Sequence, residues 1–144
     1  MADQARIEQI TNEVFALDTP RIDPVRKGQI SGFISATING DADIHAHLVI
    51  NAGLGENRMG VLVYVLTNVR LIKIEIDDKN VQASSPSLSS IITVDRKLLD
   101  GERTSIAITF PNNSVFGLTY PSATQAITDF FQTVDMARTR GAAN

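Results

Sequence analysis

The chain has 144 residues, contains no cysteine and carries a formal net charge of −3. Its length suits one domain, or one domain with an extension. Without cysteine it can form neither a disulfide framework nor a thiolate metal site. The excess of acidic residues lies within residues 1–57, so the average charge gives no footprint for nucleic acid or for an anionic membrane.

The start of the chain is unlike a secretory signal. Asp3, Arg6, Glu8 and Glu13 interrupt its apolar residues, whereas a signal has a continuous apolar region after a basic start. No run approaches the ~18 apolar residues that a membrane helix needs. The expected setting is the cytoplasm, in a bacterium or its virus.

The N-terminal part predicts one helix and leaves the next element open. The apolar residues of the first segment recur at three- and four-residue steps, which predicts a helix from Ala2 to Leu17. Asp23-Pro24 is typical of a second helix start. Gly28 and Gly32, with several β-branched residues, also allow a strand from Gln29 to Thr37.

From Asp43 the apolar spacing changes to two, which predicts strands. A half-buried strand begins there, and a glycine-rich loop follows at Asn51 to Gly60. The segment from Val61 to Ile76 is the densest apolar run of the chain and predicts two strands joined by a tight turn at Thr67-Asn68. Further strands are predicted at Val81 to Ala83, Ser89 to Lys97, Thr104 to Phe110 and Ser114 to Tyr120.

The last element is predicted to be an amphipathic helix. Ser122 and Gln125 have the spacing of a capping box. One wide apolar face follows, and such a face is expected to lie on an apolar surface. Its members are Ala123, Ala126, Ile127, Phe130, Phe131, Val134 and Ala137.

Two segments resemble the bacterial pleckstrin-homology-like domains. The run from Tyr64 to Ile72, YVLTNVRLI, looks like the "LTN-x-RLI" hairpin that many of those domains show. The run from Ser87 to Val94 is similar to their next recurring piece, a polar loop leading into a strand. The helix from Ser122 corresponds to the helix that caps the open end of their barrel. The resemblance covers roughly residues 43 to 139.

This resemblance implies an α+β fold: a partly open antiparallel barrel of about seven strands, capped by the C-terminal helix. Residues 1–40 are then an N-terminal helical extension, and residues 41–140 are the barrel domain. In eukaryotic relatives that bind phosphoinositides, the loop between the first two strands carries several Lys and Arg residues. Here the matching loop, Asn51 to Gly60, contains only Arg58, together with Glu56, so the sequence gives no strong phosphoinositide or membrane signal.

One metal-binding constellation can be considered. Asp43, His45 and His47 share one face if the alternation of the first strand is regular, and two imidazoles with a carboxylate can hold a divalent ion. The plainer interpretation is a solvated strand face. A metal-dependent enzyme that uses His45 and His47 is therefore the second alternative function. The main interpretation expects neither a metal nor a cofactor.

No motif demands a reaction. The chain has no Walker sequence, dinucleotide fingerprint or H-E-x-x-H, and its serine-rich loop lacks a G-x-S-x-G elbow. The sequence therefore predicts a non-catalytic module that binds a protein partner or itself. Strand edges offer one route. The other is the apolar face of the first helix, which either packs on its own sheet or meets another chain: Ile7, Ile10, Val14, Phe15 and Leu17. The first alternative is a barrel that binds a small ligand or a lipid.

Overall fold

The computed structural model describes residues 4–17, 23–38, 43–55, 58–77 and 79–143. Within these ranges the chain forms three α-helices, seven antiparallel strands and one short 3-10 helix. The helices are α1 (Gln4–Ala16), α2 (Pro24–Ile38) and α3 (Gln125–Ala143), and the 3-10 helix is Leu88–Ser90. The strands are β1 (Ile44–Gly55), β2 (Arg58–Thr67), β3 (Leu71–Ile76), β4 (Val81–Ser84), β5 (Thr93–Leu99), β6 (Arg103–Thr109) and β7 (Val115–Pro121).

The strands form two open antiparallel sheets, with the orders β1-β2-β3-β4 and β5-β6-β7. The predicted α+β class is confirmed, and the strand count and the closing helix are consistent with a pleckstrin-homology-like arrangement. The chain divides into two compact units, Met1–Pro86 and Ser87–Asn144. The predicted domain boundary near residue 40 rests on the family resemblance and stays a prediction. The predicted helix start at Ala2 lies outside the described residues.

In the first unit, α1 and α2 cover one face of the four-stranded sheet. Strands β2 and β3 pair Val61 with Ile76 and Val63 with Ile74, and cross-strand partners lie on the same face of a sheet. This face and the helices form one apolar core. Its fully buried members are Ile7, Ile10, Val14, Ile30, Ile34, Ile38, Val61, Val63, Val65, Ile72, Ile74 and Ile76.

The other face of β2 is buried as well. Leu62, Tyr64 and Leu66 alternate with the valines and are at most 3% exposed. A strand that is buried on both sides reads as a continuous apolar run rather than an alternation. This explains why Val61 to Thr67 is the most apolar stretch of the sequence.

The ambiguous second element is a helix. Asp23 caps it, because its Oδ1 accepts a hydrogen bond of 2.8 Å from the backbone N–H of Arg26, and Pro24 occupies the first helical position. Ile30, Ile34 and Ile38 lie four residues apart and are each 0% exposed. Their burial on the sheet stabilises the helix against its two glycines, whose helix propensity is low.

The prediction of a glycine-rich loop from Asn51 to Gly60 is wrong. Strand β1 continues to Gly55 and β2 begins at Arg58, and the ladder pairs Asn51 with Val61 and Gly53 with Met59. Residues 56–57 lie outside the described residues. Glycine disfavours a strand only weakly through its entropy, and pairing with β2, which has one irregularity between Gly53 and Gly55, overrides that preference.

Two boundaries in the second unit also differ from the prediction. The strand predicted from Ser89 begins at Thr93, after the 3-10 helix. The capping box is not formed, because α3 begins at Gln125, so that Ser122 lies too early to cap it. The hydroxyl of Ser122 instead hydrogen-bonds the hydroxyl of Thr104 at 2.7 Å. The predicted apolar face of α3 is buried at Ile127, Phe130, Phe131 and Val134, whereas Ala123 and Ala126 are exposed.

Replacing Ile34 with Ala tests the helix–sheet core. Because the isoleucine is fully buried, we expect the free energy of unfolding to fall by about 2–5 kcal/mol in urea denaturation. The matched control is Gln29→Ala on the exposed side of the same helix, which should change it by no more than about 0.5 kcal/mol. Equal effects of the two substitutions would contradict the placement of α2.

Candidate protein-binding groove

Most of the apolar face of α1 is used inside the chain. Ile7 is 2% exposed, and Ile10 and Val14 are 0% exposed. Of the two alternatives open from the sequence, packing on the chain's own sheet is the one that these residues adopt. Phe15 and Leu17 are half-buried at the edge of the same core. Any partner surface on this side of the molecule must therefore use the outer side of the helices.

The predicted metal constellation is not formed. The pairing of β1 with β2 is irregular between Ile44 and Ala46. As a result Ile44 and His47 both lie on the helix side of the sheet, where Ile44 packs on the core and His47 contacts α1. The predicted shared face of Asp43, His45 and His47 required side chains to alternate regularly between the two faces of β1. The irregularity breaks that alternation. Among the described residues no group of three His, Asp or Glu side chains could hold a metal ion.

His47 instead connects β1 to α1. The Nε of Arg6 donates a hydrogen bond of 2.8 Å to Nδ1 of His47. Since Nδ1 accepts this bond, the ring carries its proton on Nε2, which donates to Oε2 of Glu13 at 2.6 Å. Arg6 and Glu13 lie two turns apart on α1 and hold the imidazole of His47 between them. The His47 side chain is 9% exposed.

Removal of this imidazole should weaken the first unit. We expect His47→Ala to lower the free energy of unfolding by about 1–3 kcal/mol, because Arg6 and Glu13 lose a shared partner. His45→Ala is the matched control, since His45 is exposed and its removal should be nearly neutral. Urea denaturation of both variants measures the difference. A neutral His47→Ala would show that the contact does not fasten α1 to the sheet.

A groove of about 620 Å³ runs along the outer side of α1 and α2. The wall contributed by α2 consists only of glycine and serine. The wall contributed by α1 is larger and mostly polar. The lining residues are Gly28, Ser31, Gly32 and Ser35 from α2, and Gln4, Ile7, Glu8, Thr11, Asn12 and Phe15 from α1.

The part of α2 from Gly28 onward carries no charge. No charged residue occurs from Gly28 to Ile38, and Val25, at 73% exposure, extends this surface toward the helix start. Within the described chain, only the face that carries the isoleucines is covered.

Packing against the described residues does not require the two glycines of α2. A Cβ added at Gly28 or Gly32 would meet no heavy atom of the described residues within 4 Å. Each glycine nevertheless weakens a helix by about 1 kcal/mol relative to alanine. Two glycines four residues apart on an exposed helix face provide a surface on which another backbone can approach closely.

One charged residue lines the groove and another lies beside it. At one end, Nζ of Lys27 lies 5.6 Å from the centroid of the Phe15 ring. Glu8 lies two turns earlier on α1, about 10 Å along the helix axis. Both Lys27 and Glu8 are exposed, and of the two only Glu8 lines the groove.

The sequence pattern does not by itself reveal the groove, because Gly28 and Gly32 indicate only a weak helix or a strand. A signal for it exists in the sequence: Gly28 and Gly32, and Ser31 and Ser35, are two four-residue pairs of small residues in a segment without charges. This pattern indicates close helix packing once the segment is known to be a helix. Which side of α2 faces the sheet is fixed only by the isoleucines, in the folded chain.

A second polar cluster lies on the face of the sheet that α1 and α2 do not cover. Lys73 and Glu75 form an ion pair of 3.0 Å, and Nε2 of Gln82 donates to Glu75 at 2.8 Å. These residues line a small pocket of about 140 Å³. Because its charges neutralise one another, this pocket is a poorer candidate for a charged ligand than an open cationic or anionic site.

Tyr64 is the cross-strand neighbour of Lys73 in this region. Burial, and secondarily the carboxylate of Glu75, raise the pKa of its phenol well above the usual value. The folded chain therefore keeps the phenol proton at a pH at which an unfolded tyrosine, with a pKa of about 10, has lost it. Stability contributed by the neutral phenol is complete below pH 10 and declines above it.

Tyr64→Phe removes this titration. Between neutral pH and a pH of about 11, we expect the wild-type chain to lose about 1.4 kcal/mol more unfolding free energy than Tyr64→Phe. Urea denaturation of both chains at the two pH values measures the difference. Parallel losses in the two chains would show that Tyr64 ionises as readily in the folded state as in the unfolded one.

None of the helices in the described part of the chain combines the length and the apolarity needed to cross a membrane. A comparison with models of known protein families finds no match, and a comparison with curated proteins finds none either. The candidate site therefore rests on its geometry alone.

Proposed function

We propose that this chain is a non-catalytic protein-binding module, of pleckstrin-homology-like class, and that the groove along α1 and α2 receives an α-helix of its partner. The observation that carries the proposal is the uncharged, glycine-containing outer face of α2. The order of four strands, three strands and a final helix supports the class. The cytoplasm remains the proposed location.

A helix is the occupant that best fits the shape of the groove. Its walls are two helices, and α2 spans about 22 Å at 1.5 Å per residue. Helices pack with axes 8–10 Å apart, and small residues permit the closest approach. A third helix lying along Gly28, Ser31, Gly32 and Ser35 would cover the small-residue face and leave Phe15 at its rim.

The ligand-carrier alternative receives less support. It requires space against α3, but Ile127, Phe130, Phe131 and Val134 are each at most 5% exposed. Phe130 and Phe131 contact each other edge to face, with centroids 5.2 Å apart. A ligand would have to displace these side chains. The metal-enzyme alternative would have to displace Arg6 from His47.

Site-specific photo-crosslinking tests the proposal. The photoreactive amino acid p-benzoylphenylalanine replaces Ala36 on the exposed face of α2, and the chain is irradiated in the cells that produce it. We expect a discrete adduct. The same probe at Lys97, which is exposed on β5, is the control and should not give that adduct.

Gly32→Leu in the Ala36-probe chain sharpens the test. Leucine favours the helix, and it would fill the space that a partner helix needs. We expect the adduct to disappear while the circular dichroism spectrum and the melting temperature are retained. Absence of an adduct from position 36, or an adduct shared with position 97, would contradict the proposed groove.

A further inference from the structure

Of the four sheet edges in the described chain, three carry a feature that protects an edge from pairing with another chain. Short strands, charged side chains and bulges all give such protection. Strand β4 has only four residues, and the register of β1 is interrupted near each of its ends. Strand β5 presents three consecutive exposed charges: Asp95, Arg96 and Lys97. The edge formed by β7 has none of these features.

The edge of β7 is seven residues long, regular and uncharged. Its pairing with β6 runs from Val115 to Pro121 without a register shift. No charged residue occurs from Pro111 to Pro121. Alternate residues of the strand are exposed: Val115, Gly117, Thr119 and Pro121. A long, regular edge of this kind is a template for a further strand.

The bonds to β6 determine which backbone groups this edge offers. The N–H of Ser122 donates to the carbonyl oxygen of Glu102 at 2.8 Å, which marks one bonded pair. Because bonded and non-bonded pairs alternate in an antiparallel ladder, the even-numbered residues of β7 bond to β6. The odd-numbered ones direct their backbone groups outward, where no backbone group of another described element bonds to them. Three residues offer both an N–H and a C=O: Val115, Gly117 and Thr119.

We propose that this edge binds β7 of a second copy of the chain, in antiparallel orientation, around a two-fold axis at Gly117. The two three-stranded sheets then form one continuous sheet of six strands. Each outward pair exchanges two backbone hydrogen bonds, so the three pairs supply about six. The surface lies in the second unit and is independent of the α1/α2 groove.

The sequence of β7 makes the strand complementary to itself. The residues Val-Phe-Gly-Leu-Thr show the same classes in both directions, with a β-branched residue at each end, a large apolar one inside it and glycine at the centre. About the two-fold axis, Val115 lies opposite Thr119 of the second copy, and Phe116 lies opposite Leu118. Such cross-strand pairs are favourable. Gly117 meets itself, so no side chain hinders the approach on the axis. A second copy supplies this pattern by symmetry.

Sedimentation equilibrium of the full chain tests the proposal with charges at position 117. A Cβ added at Gly117 would lie 3.9 Å from the carbonyl oxygen of Ile106, an ordinary contact, so a side chain fits within one copy. We expect a monomer–dimer equilibrium that Gly117→Lys and Gly117→Glu each weaken about tenfold, because like charges then lie directly opposite. An equimolar mixture of the two variants should restore dimerisation, which mere destabilisation of the strand would not. The matched control is Leu98→Lys on β5, where the exposed side chain lies at the other edge of the same sheet, and it should change nothing.

Single cysteines test the register, since the chain has no cysteine of its own. Gly117→Cys places two Cα atoms about 5.5 Å apart across the axis, within the range that a disulfide spans. Oxidation should therefore link the dimer. Thr119→Cys is the matched control, because its equivalent in the second copy lies about 13 Å away along the strand. It should not link to itself but should link to Val115→Cys when the two variants are mixed.

The outcomes separate this interface from the groove. Circular dichroism confirms that each variant is folded, and the cysteine variants carry the test if a charged variant is not. A chain that stays monomeric, a dimer that charges at position 117 leave intact, or equal self-linking of Gly117→Cys and Thr119→Cys would overturn the β7 interface. A dimer that Gly32→Leu abolishes would also overturn it, because that substitution lies in the groove. The crosslink from position 36 tests the proposed function separately, so either proposal can fail alone.

Discussion

The valine face of β2 needs an apolar cover, and that need organises the first unit. Val61, Val63 and Val65 pair with the isoleucines of β3 to form a continuous apolar surface. Left in water, such a surface would lose the hydrophobic stabilisation of about 25 cal/mol per Å². Helices α1 and α2 provide the cover with their own isoleucine stripes. The segment before the sheet is therefore part of the core of this unit.

This arrangement determines which surface remains for binding. The apolar stripe of α1 is consumed by the sheet, and His47 fastens the same helix through Arg6 and Glu13. The outer side of α2 then faces away from the core with glycine, serine and alanine. Glycine and serine at an exposed helix face weaken the isolated helix relative to alanine, but all three suit the close approach of a second helix. The isoleucine side of α2 packs on the sheet and completes the core. The same packing leaves the small-residue side of α2 exposed as the proposed binding face.

Sequence periodicity predicted the elements whose environment is local. The alternation of β3 and the buried face of α3 follow from spacing, because their burial repeats along the chain, whereas β2 follows from the density of its apolar run. The extension of β1 to Gly55 could not be foreseen, since a partner strand determines it. The irregularity near Ile44 likewise redirects His47 without any mark in the sequence. Predicting the groove also requires knowledge of which side of α2 packs on the sheet.

Amide hydrogen exchange of the full chain tests the shared core most directly. If α1 and α2 form one cooperative unit with the sheet, amides near Val14 and Ile34 exchange with the same opening free energy as those near Val63. Rapid exchange throughout both helices, beside a sheet that remains protected, would contradict the account, because the helices would then open without the surface that they are required to cover.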